Sequence, residues 1–303
     1  MTIRFDDRVV IVTGAGAGIG REHALLFGAR GAKVVVNDPG GSVDGQGGSG
    51  AVADSVVEEI RRAGGQAVAS YASVADEAAA QSIIDTAMKQ WGRVDALVNN
   101  AGILRDKAFS NMTMEDFRAC SDVHYMGTVY CTKAVWPVMR AQKYGRIVVT
   151  TSGSGTAGNF GQANYGAAKM AVVGLINVLR LEGAKYNILL NAISPSARTR
   201  MTEDLLPPHL REYMKPEFVS PAVAWLASEQ CDITGEIITA SAGGYARLQY
   251  YRSEGVQFDP LEPVTPEMIA EAMPRILDMS NAAPQTRNRE RLEAALRKMG
   301  RIP

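Results

Sequence analysis

Seven short runs of this chain are apolar almost from end to end: RVVIVTG (8–14), KVVVND (33–38), QAVASY (66–71), VDALVNN (94–100), GRIVVTTS (145–152), NILLNAIS (187–194) and GEIITAS (235–241). A strand with one face in water alternates apolar and polar residues, whereas a strand covered on both faces reads as a continuous Val/Ile/Leu run. Between the runs lie longer segments such as AVADSVVEEIRRAGG and EAAAQSIIDTAMKQWG, which have the spacing of amphipathic helices closed by glycine. Strands joined by helical crossovers form a parallel sheet with helices on both sides. The expected fold is therefore α/β, a doubly wound seven-stranded parallel sheet of Rossmann type, occupying 1–244 as one dinucleotide-binding and catalytic domain. The segment 245–303 contains the helix-patterned TPEMIAEAMPRILDM and is too short for a core of its own. It is expected to be a helical extension packed on the domain or on a partner subunit.

The first run is followed by TGAGAGIG (13–20), which opens a helix-patterned segment. Glycines at 14, 18 and 20 permit a tight turn and let backbone N–H groups approach a diphosphate at the helix start. Asp38 ends the second run, where a carboxylate accepts hydrogen bonds from ribose hydroxyls and repels a 2′-phosphate. The neighbouring stretch PGGSVDGQGGSG (39–50) has no lysine or arginine to attract that phosphate. NAD is thus expected over NADP, although Asn-Asp-Pro is also good turn chemistry and Asp38 has the alternative of capping a turn. The glycine-rich stretch itself reads either as a mobile surface loop or as a flap at the adenosine end of the site.

Tyr165 and Lys169 stand four residues apart in GNFGQANYGAAKM (158–170), hence on one helix face. An ammonium beside a phenol favours the phenolate, and small neighbours leave room for a large ring close to the backbone. Ser152 ends the fifth run, where parallel sheets bind ligands, and its hydroxyl can hold a substrate oxygen against the tyrosine.

The remaining composition excludes several classes. Acidic and basic residues balance at 32 each, which leaves no net field to recruit nucleic acid or an anionic membrane. The mixed-sign RNRERLEAALRK near the C-terminus reads as a solvated helix face. The three cysteines, Cys120, Cys131 and Cys231, lack metal-binding spacing, and the histidines are also only three, so no metal site is expected. No run is long enough to span a bilayer, and no signal-peptide or peroxisomal address is evident. A cytoplasmic location is the expectation.

TGAGAGIG, NNAG (99–102), and Ser152 with YGAAK (165–169) together resemble the short-chain dehydrogenase/reductase family, from residue 5 to about 243. The resemblance implies that Tyr165 is the acid/base, that Lys169 lowers its pKa and holds the nicotinamide ribose, and that Ser152 orients the substrate oxygen. It implies cofactor contacts from Gly14, Gly18, Ile19, Gly20, Asp38, Ser73, Val74, Asn100, Ala101, Gly102, Pro195, Ile193 and Thr199, besides Tyr165 and Lys169. In DVHYMG, His124 stands where the family usually places an asparagine of a proton relay. Its backbone carbonyl is the favoured participant, because a side-chain role needs a neighbour to orient the ring. Pro195-Ser196 replaces the usual Pro-Gly.

Further stretches, VVVND with its glycine-rich insert, NNAGILRDKAF, GNFGQANY, TRMTE and the tail VTPEMIAEAMPRILDMSNA, resemble one branch of the family. That branch comprises the (3R)-hydroxyacyl-CoA dehydrogenase units of peroxisomal multifunctional β-oxidation enzymes, also known as a 17β-hydroxysteroid dehydrogenase type; this chain looks like a stand-alone bacterial form. The implied activity is NAD-dependent oxidation of a (3R)-hydroxyacyl-CoA to the 3-oxoacyl-CoA in lipid metabolism, with Ser152 and Tyr165 on the substrate. Arg105, Lys107 or Arg198 are candidates for the CoA phosphates. Alternatives are a hydroxysteroid or other secondary-alcohol dehydrogenase, a 3-oxoacyl-carrier-protein reductase, or an inactive NAD-binding scaffold. The family commonly assembles through the helices after strands four and five, so a homodimer or homotetramer is expected.

Overall fold

The computed structural model describes residues 2–203, 207–285 and 288–303. The chain divides into two compact units, Met1–Arg247 and Leu248–Pro303. In the first, the apolar runs form β1 (Val9–Thr13), β2 (Lys33–Asn37), β3 (Gln66–Ser70), β4 (Ala96–Asn99), β5 (Gly145–Thr150), β6 (Ile188–Ser196) and β7 (Ile237–Ser241). β1, β4 and β5 are buried at every position, as two-sided cover requires. The crossovers are α1 (Gly18–Ala29), α2 (Ala51–Arg62), α3 (Glu77–Trp91), the paired α4 (Met114–Ser121) and α5 (Gly127–Gln142), a short α6 (Gly153–Thr156) before the long α7 (Ala163–Gly183), and α8 (Ser220–Ala227).

The sheet order is β3-β2-β1-β4-β5-β6-β7-β8, with the first seven strands paired parallel. The chain builds outward from β1 to β3, then returns to place β4 on the other side of β1. A crevice opens beyond the carboxyl ends where the direction reverses. One core cluster packs Phe5, Phe27, Ile60 and Leu226 against Val10, Val12, Val34, Val36, Val98 and Val148. Each fully buried side chain of this size contributes about 1.5–3 kcal/mol relative to exposure.

The seven-stranded expectation falls short by one edge strand. β8 (Gly244–Leu248) extends the sheet beside β7. Its connection, Ala242-Gly243, has φ of 48° and 79°, the two left-handed residues of a tight hairpin, so β8 runs antiparallel to β7. GYARL is mostly exposed, and a solvent-facing edge strand has no continuous apolar run to announce it.

In the second unit, β9 (Tyr251–Arg252) pairs antiparallel with β10 (Ala283–Pro284). Between them lies α9 (Pro266–Leu277), capped by the Thr265 side chain on the Met268 N–H, and α10 (Asn288–Lys298) follows. Arg287, in the basic run, lies outside the described residues.

Candidate active site

The turn between β1 and α1 depends on glycine at four positions. Gly14 and Gly18 have φ of 64° and 56°, in the left-handed region that side chains disfavour. A Cβ on Gly20 would lie 2.1 Å from the Gly14 carbonyl oxygen, and one on Gly16 would lie 2.9 Å from Asp38 Oδ2. Ala17, the N-cap of α1, offers no side-chain acceptor, and the first turn carries no acid. Its N–H groups are therefore placed to receive an anion. The other wall of the turn comes from the end of β4. Asn100 Nδ2 donates to the carbonyls of Thr13 and Gly14 (3.0 and 3.1 Å), while Thr13 Oγ1 accepts from the N–H groups of Asn100 and Ala101 (3.0 and 3.1 Å).

Asp38 caps a turn and also borders the cavity. Its Oδ1 accepts the Gly40 N–H (2.7 Å) and its Oδ2 the Gly16 N–H (2.8 Å), and it lines the cavity. The glycine-rich 39–50 stretch bends over the same cavity, which Ser42, Val43 and Gly45 help to line. It is tied down by Leu104 N–H on the Val43 carbonyl (2.9 Å) and Arg105 Nε on the Asp44 carbonyl (3.0 Å).

Tyr165 and Lys169 share the inward face of α7. Lys169 is 4% exposed, and its Nζ donates to the Thr150 carbonyl at the end of β5 (2.7 Å). The ammonium lies 5.6 Å from the Tyr165 ring centroid. Burial lowers its pKa to about 8. Burial likewise raises the Tyr165 phenol, a hydrogen bond from Ser152 pulls it back, and the nearby Cys120 and Asp106 raise it further. Ser152 caps α6 by accepting the Ser154 N–H (3.2 Å).

His124 sits in a π-helical turn, Asp122–Met126, inserted between α4 and α5. Its Nε2 is 2.7 Å from the Ile103 carbonyl oxygen and 3.1 Å from the Ile103 nitrogen. One residue's backbone thus supplies the orienting neighbour that sequence could not identify. The ring meets Tyr165 edge to face at 5.0 Å, and burial holds its pKa well below the ordinary value, so it is neutral. The His124 carbonyl accepts the Thr128 hydroxyl (2.7 Å). Gly102 makes room for this ring, since a Cβ there would lie 2.3 Å from His124 Cε1.

These groups enclose a cavity of roughly 460 Å³, in the range of small-molecule sites. Gly14, Gly18, Ile19, Gly20, Asp38, Ser73, Val74, Asn100, Ala101, Gly102, His124, Ser152, Tyr165, Lys169, Pro195 and Thr199 all line it. Ile193 does not. It is fully buried in the core cluster, because β6 runs on to Ser196 and the strand end that reaches the cavity is Pro195-Ser196. Arg105, Lys107 and Arg198 are also absent from the lining; Arg105 and Lys107 pair with Asp116, and Arg198 with Glu203.

Sequence reading missed the polar chain beside Tyr165. Gln162 Nε2 donates to Asp106 (2.6 Å), and Gln162 Oε1 accepts from Ser154 Oγ (2.6 Å) and Asn159 Nδ2 (3.0 Å). Its position three residues before Tyr165 was the available signal. The partners, up to 56 positions away, gave none.

The chain is similar to known proteins in both sequence and fold. The family described as short chain dehydrogenase matches residues 8–208. The chain is 50% identical over 282 residues to "Peroxisomal multifunctional enzyme type 2" of Drosophila melanogaster, spanning 92% of this chain but 47% of that protein. It is 50% identical over 276 residues to "Putative short-chain type dehydrogenase/reductase Rv0148" of Mycobacterium tuberculosis, covering 91% of this chain and 96% of the relative. Among solved structures, the full-length Drosophila multifunctional enzyme superposes with a TM-score of 0.83 at 41% identity, over 98% of this chain and 50% of that one. A 7α-hydroxysteroid dehydrogenase complexed with NADH and 7-oxo glycochenodeoxycholic acid has a TM-score of 0.72 at 31% identity, over 80% and 95%. With its glycine turn, its cavity beyond the strand ends and these relatives, the chain belongs to the short-chain dehydrogenase/reductase family, whose members act on CH–OH groups.

Proposed function

We propose that the protein oxidises a (3R)-hydroxyacyl-CoA to the 3-oxoacyl-CoA with NAD. The observation that carries this reading is the convergence of Ser152, Tyr165 and Lys169 on one cavity with Asp38 at its far end. The glycine turn and the uncapped first turn of α1 fit a dinucleotide diphosphate. Asp38 favours NAD: each carboxylate oxygen takes one backbone N–H and keeps acceptor capacity for a ribose hydroxyl, while its charge repels a 2′-phosphate. NAD, when bound, supplies the hydride acceptor and a positive charge next to the phenol.

Ser152 holds the substrate C3 oxygen, and Tyr165 removes the hydroxyl proton as the hydride leaves C3. Burial, Cys120 and Asp106 raise the phenol and the Ser152 hydrogen bond lowers it, so ionisation near neutrality requires added positive charge beside the ring. Lys169, with a pKa of about 8, remains largely protonated at pH 7 and fills that role. His124 acts as a positioning residue that packs against the tyrosine ring. The acyl-CoA assignment draws support from the relatives named as multifunctional enzymes. A homodimer or homotetramer joined through α5 and α7, in the cytoplasm, completes the reading; no helix among the described residues is long and apolar enough to cross a membrane.

The test is dinucleotide turnover against a panel of (3R)-hydroxyacyl-CoAs, free hydroxysteroids, acyl-carrier-protein thioesters and short alcohols, with NAD and NADP compared. A preference for free hydroxysteroids overturns the substrate class. Tyr165→Phe is expected to lower kcat by at least about a thousandfold, with the Kd for NAD unchanged within about threefold. Retention of activity in that variant removes Tyr165 from the centre of the mechanism.

A further inference from the structure

A dinucleotide diphosphate carries two negative charges, whereas a helix N-terminus is equivalent to only about half a positive charge. Among the described residues lining the cavity, the lysine and arginine side chains are Lys169 and Arg200, and Asp38 is the carboxylate. Lys169 is engaged with Thr150 at the catalytic end. Arg200 is therefore the cation left to balance the diphosphate, and its position in the fold suits that task.

The segment carrying Arg200 lies against the glycine turn. A Cβ on Gly18 would stand 3.4 Å from the Thr199 methyl, so Thr199 and Gly18 face one another across ordinary contact distance. Residues 199–202 form a β-turn closed by the Thr202 N–H on the Thr199 carbonyl (3.0 Å). Thr202 Oγ1 braces it twice, accepting the Thr199 N–H (2.9 Å) and donating to the Ala197 carbonyl (2.6 Å). The Met201 N–H is bound by Thr199 Oγ1 (3.2 Å). Arg200 occupies the first central position of this braced turn. Its side chain is exposed and in no ion pair among the described residues, whereas the neighbouring Arg198 is paired with Glu203.

We propose that Arg200 is a second anchor for the cofactor diphosphate, binding it from the wall that faces Gly18 while the α1 turn binds it through backbone N–H groups. A guanidinium suits this task, because it presents a planar pair of donors to phosphate oxygens and stays charged at any working pH. The proposal rests on the dinucleotide part of the function above and is indifferent to the substrate and to the 2′-phosphate.

The experiment is calorimetric binding of NAD, NADP, ADP and adenosine to the full chain and to its Arg200→Gln and Arg200→Lys variants, with KM for a CoA thioester measured alongside. Loss of a charge-assisted contact predicts a Kd for the preferred dinucleotide and for ADP raised about tenfold or more in Arg200→Gln. Partial recovery is expected in Arg200→Lys, with adenosine affinity unchanged within about twofold as the sign of an intact fold. An unchanged dinucleotide Kd overturns the proposal. So does a raised KM for the CoA thioester at unchanged dinucleotide Kd, which assigns the guanidinium to the substrate's phosphates. A wild type that prefers NADP refutes the reading of Asp38, and the arginine is then judged on NADP.

Discussion

Lys169 is an ammonium with 4% exposure and one carbonyl partner, and its pKa falls from 10.5 to about 8. Below about pH 8 both folded and unfolded chains carry the proton, and the folded state bears the full penalty of burying it. Between about 8 and 10.5 the unfolded chain binds more protons than the folded one, so this group's contribution to stability rises with pH. The contribution disappears in Lys169→Met. The stability of wild type minus variant should therefore grow by on the order of 2–3 kcal/mol from pH 7.5 to 10. Urea unfolding of both proteins at the two pH values measures it, and Cys120 and Tyr165 titrate in both. A flat difference means that the ammonium is not desolvated as described. The four-residue spacing of Tyr165 and Lys169 was legible because helical neighbours are set by local geometry. The Thr150 contact was not, since it joins two elements nineteen positions apart. Ile193, which the family resemblance put at the cofactor, lies in the core cluster and not in the cavity lining; a resemblance carries over a residue's place in a motif, and burial of its side chain is decided by packing.

At the scale of elements, the π-helical turn Asp122–Met126 and the NNAG segment constrain each other. The turn aims the His124 ring between Ile103 and Tyr165, and Gly102 supplies the space for it. Gly102→Ala puts a methyl 2.3 Å from the ring, so the imidazole must shift and take its Tyr165 contact with it. We expect kcat to fall by about ten- to a hundredfold in Gly102→Ala, with a smaller loss in His124→Asn. Because the shorter side chain relieves the clash, adding Gly102→Ala to His124→Asn should cost less than the glycine change does in wild type. Equal effects in both backgrounds, read from kcat in a double-mutant cycle, would remove the steric coupling. The sequence marked His124 and Gly102 separately. Their contact lies between a strand end and a crossover helix, which no periodicity brings together. The 39–50 stretch was ambiguous for a different reason: glycine composition describes freedom of the backbone, and the anchors at Leu104 and Arg105 lie outside the stretch.

At the scale of the molecule, α7 links the catalytic residues to the protein surface. Its inward face buries Ala168, Lys169, Val172, Val173 and Ile176. Its outward face presents Met170, Val178 and Leu181, exposed at 36%, 55% and 49%, and the small exposed Ala163, Ala167 and Gly174. In the proposed homo-oligomer this stripe, along a helix of about 30 Å, is the surface a partner would cover, and its small residues would allow another helix to approach closely. A partner pressed on this face would stiffen the helix that presents Tyr165, so assembly and catalysis should be coupled. If the proposed two-fold interface uses this face, Val178→Glu combined with Leu181→Glu places four desolvated carboxylates in it and is expected to yield monomers in sedimentation velocity. Both substitutions lie on the solvent face, away from the cavity, so the Kd for the dinucleotide should remain within about threefold. The kcat should decline, because the catalytic helix loses its external support. A double variant that sediments with wild type removes this face from the interface; a monomer with undiminished kcat keeps the interface and removes its influence on the tyrosine.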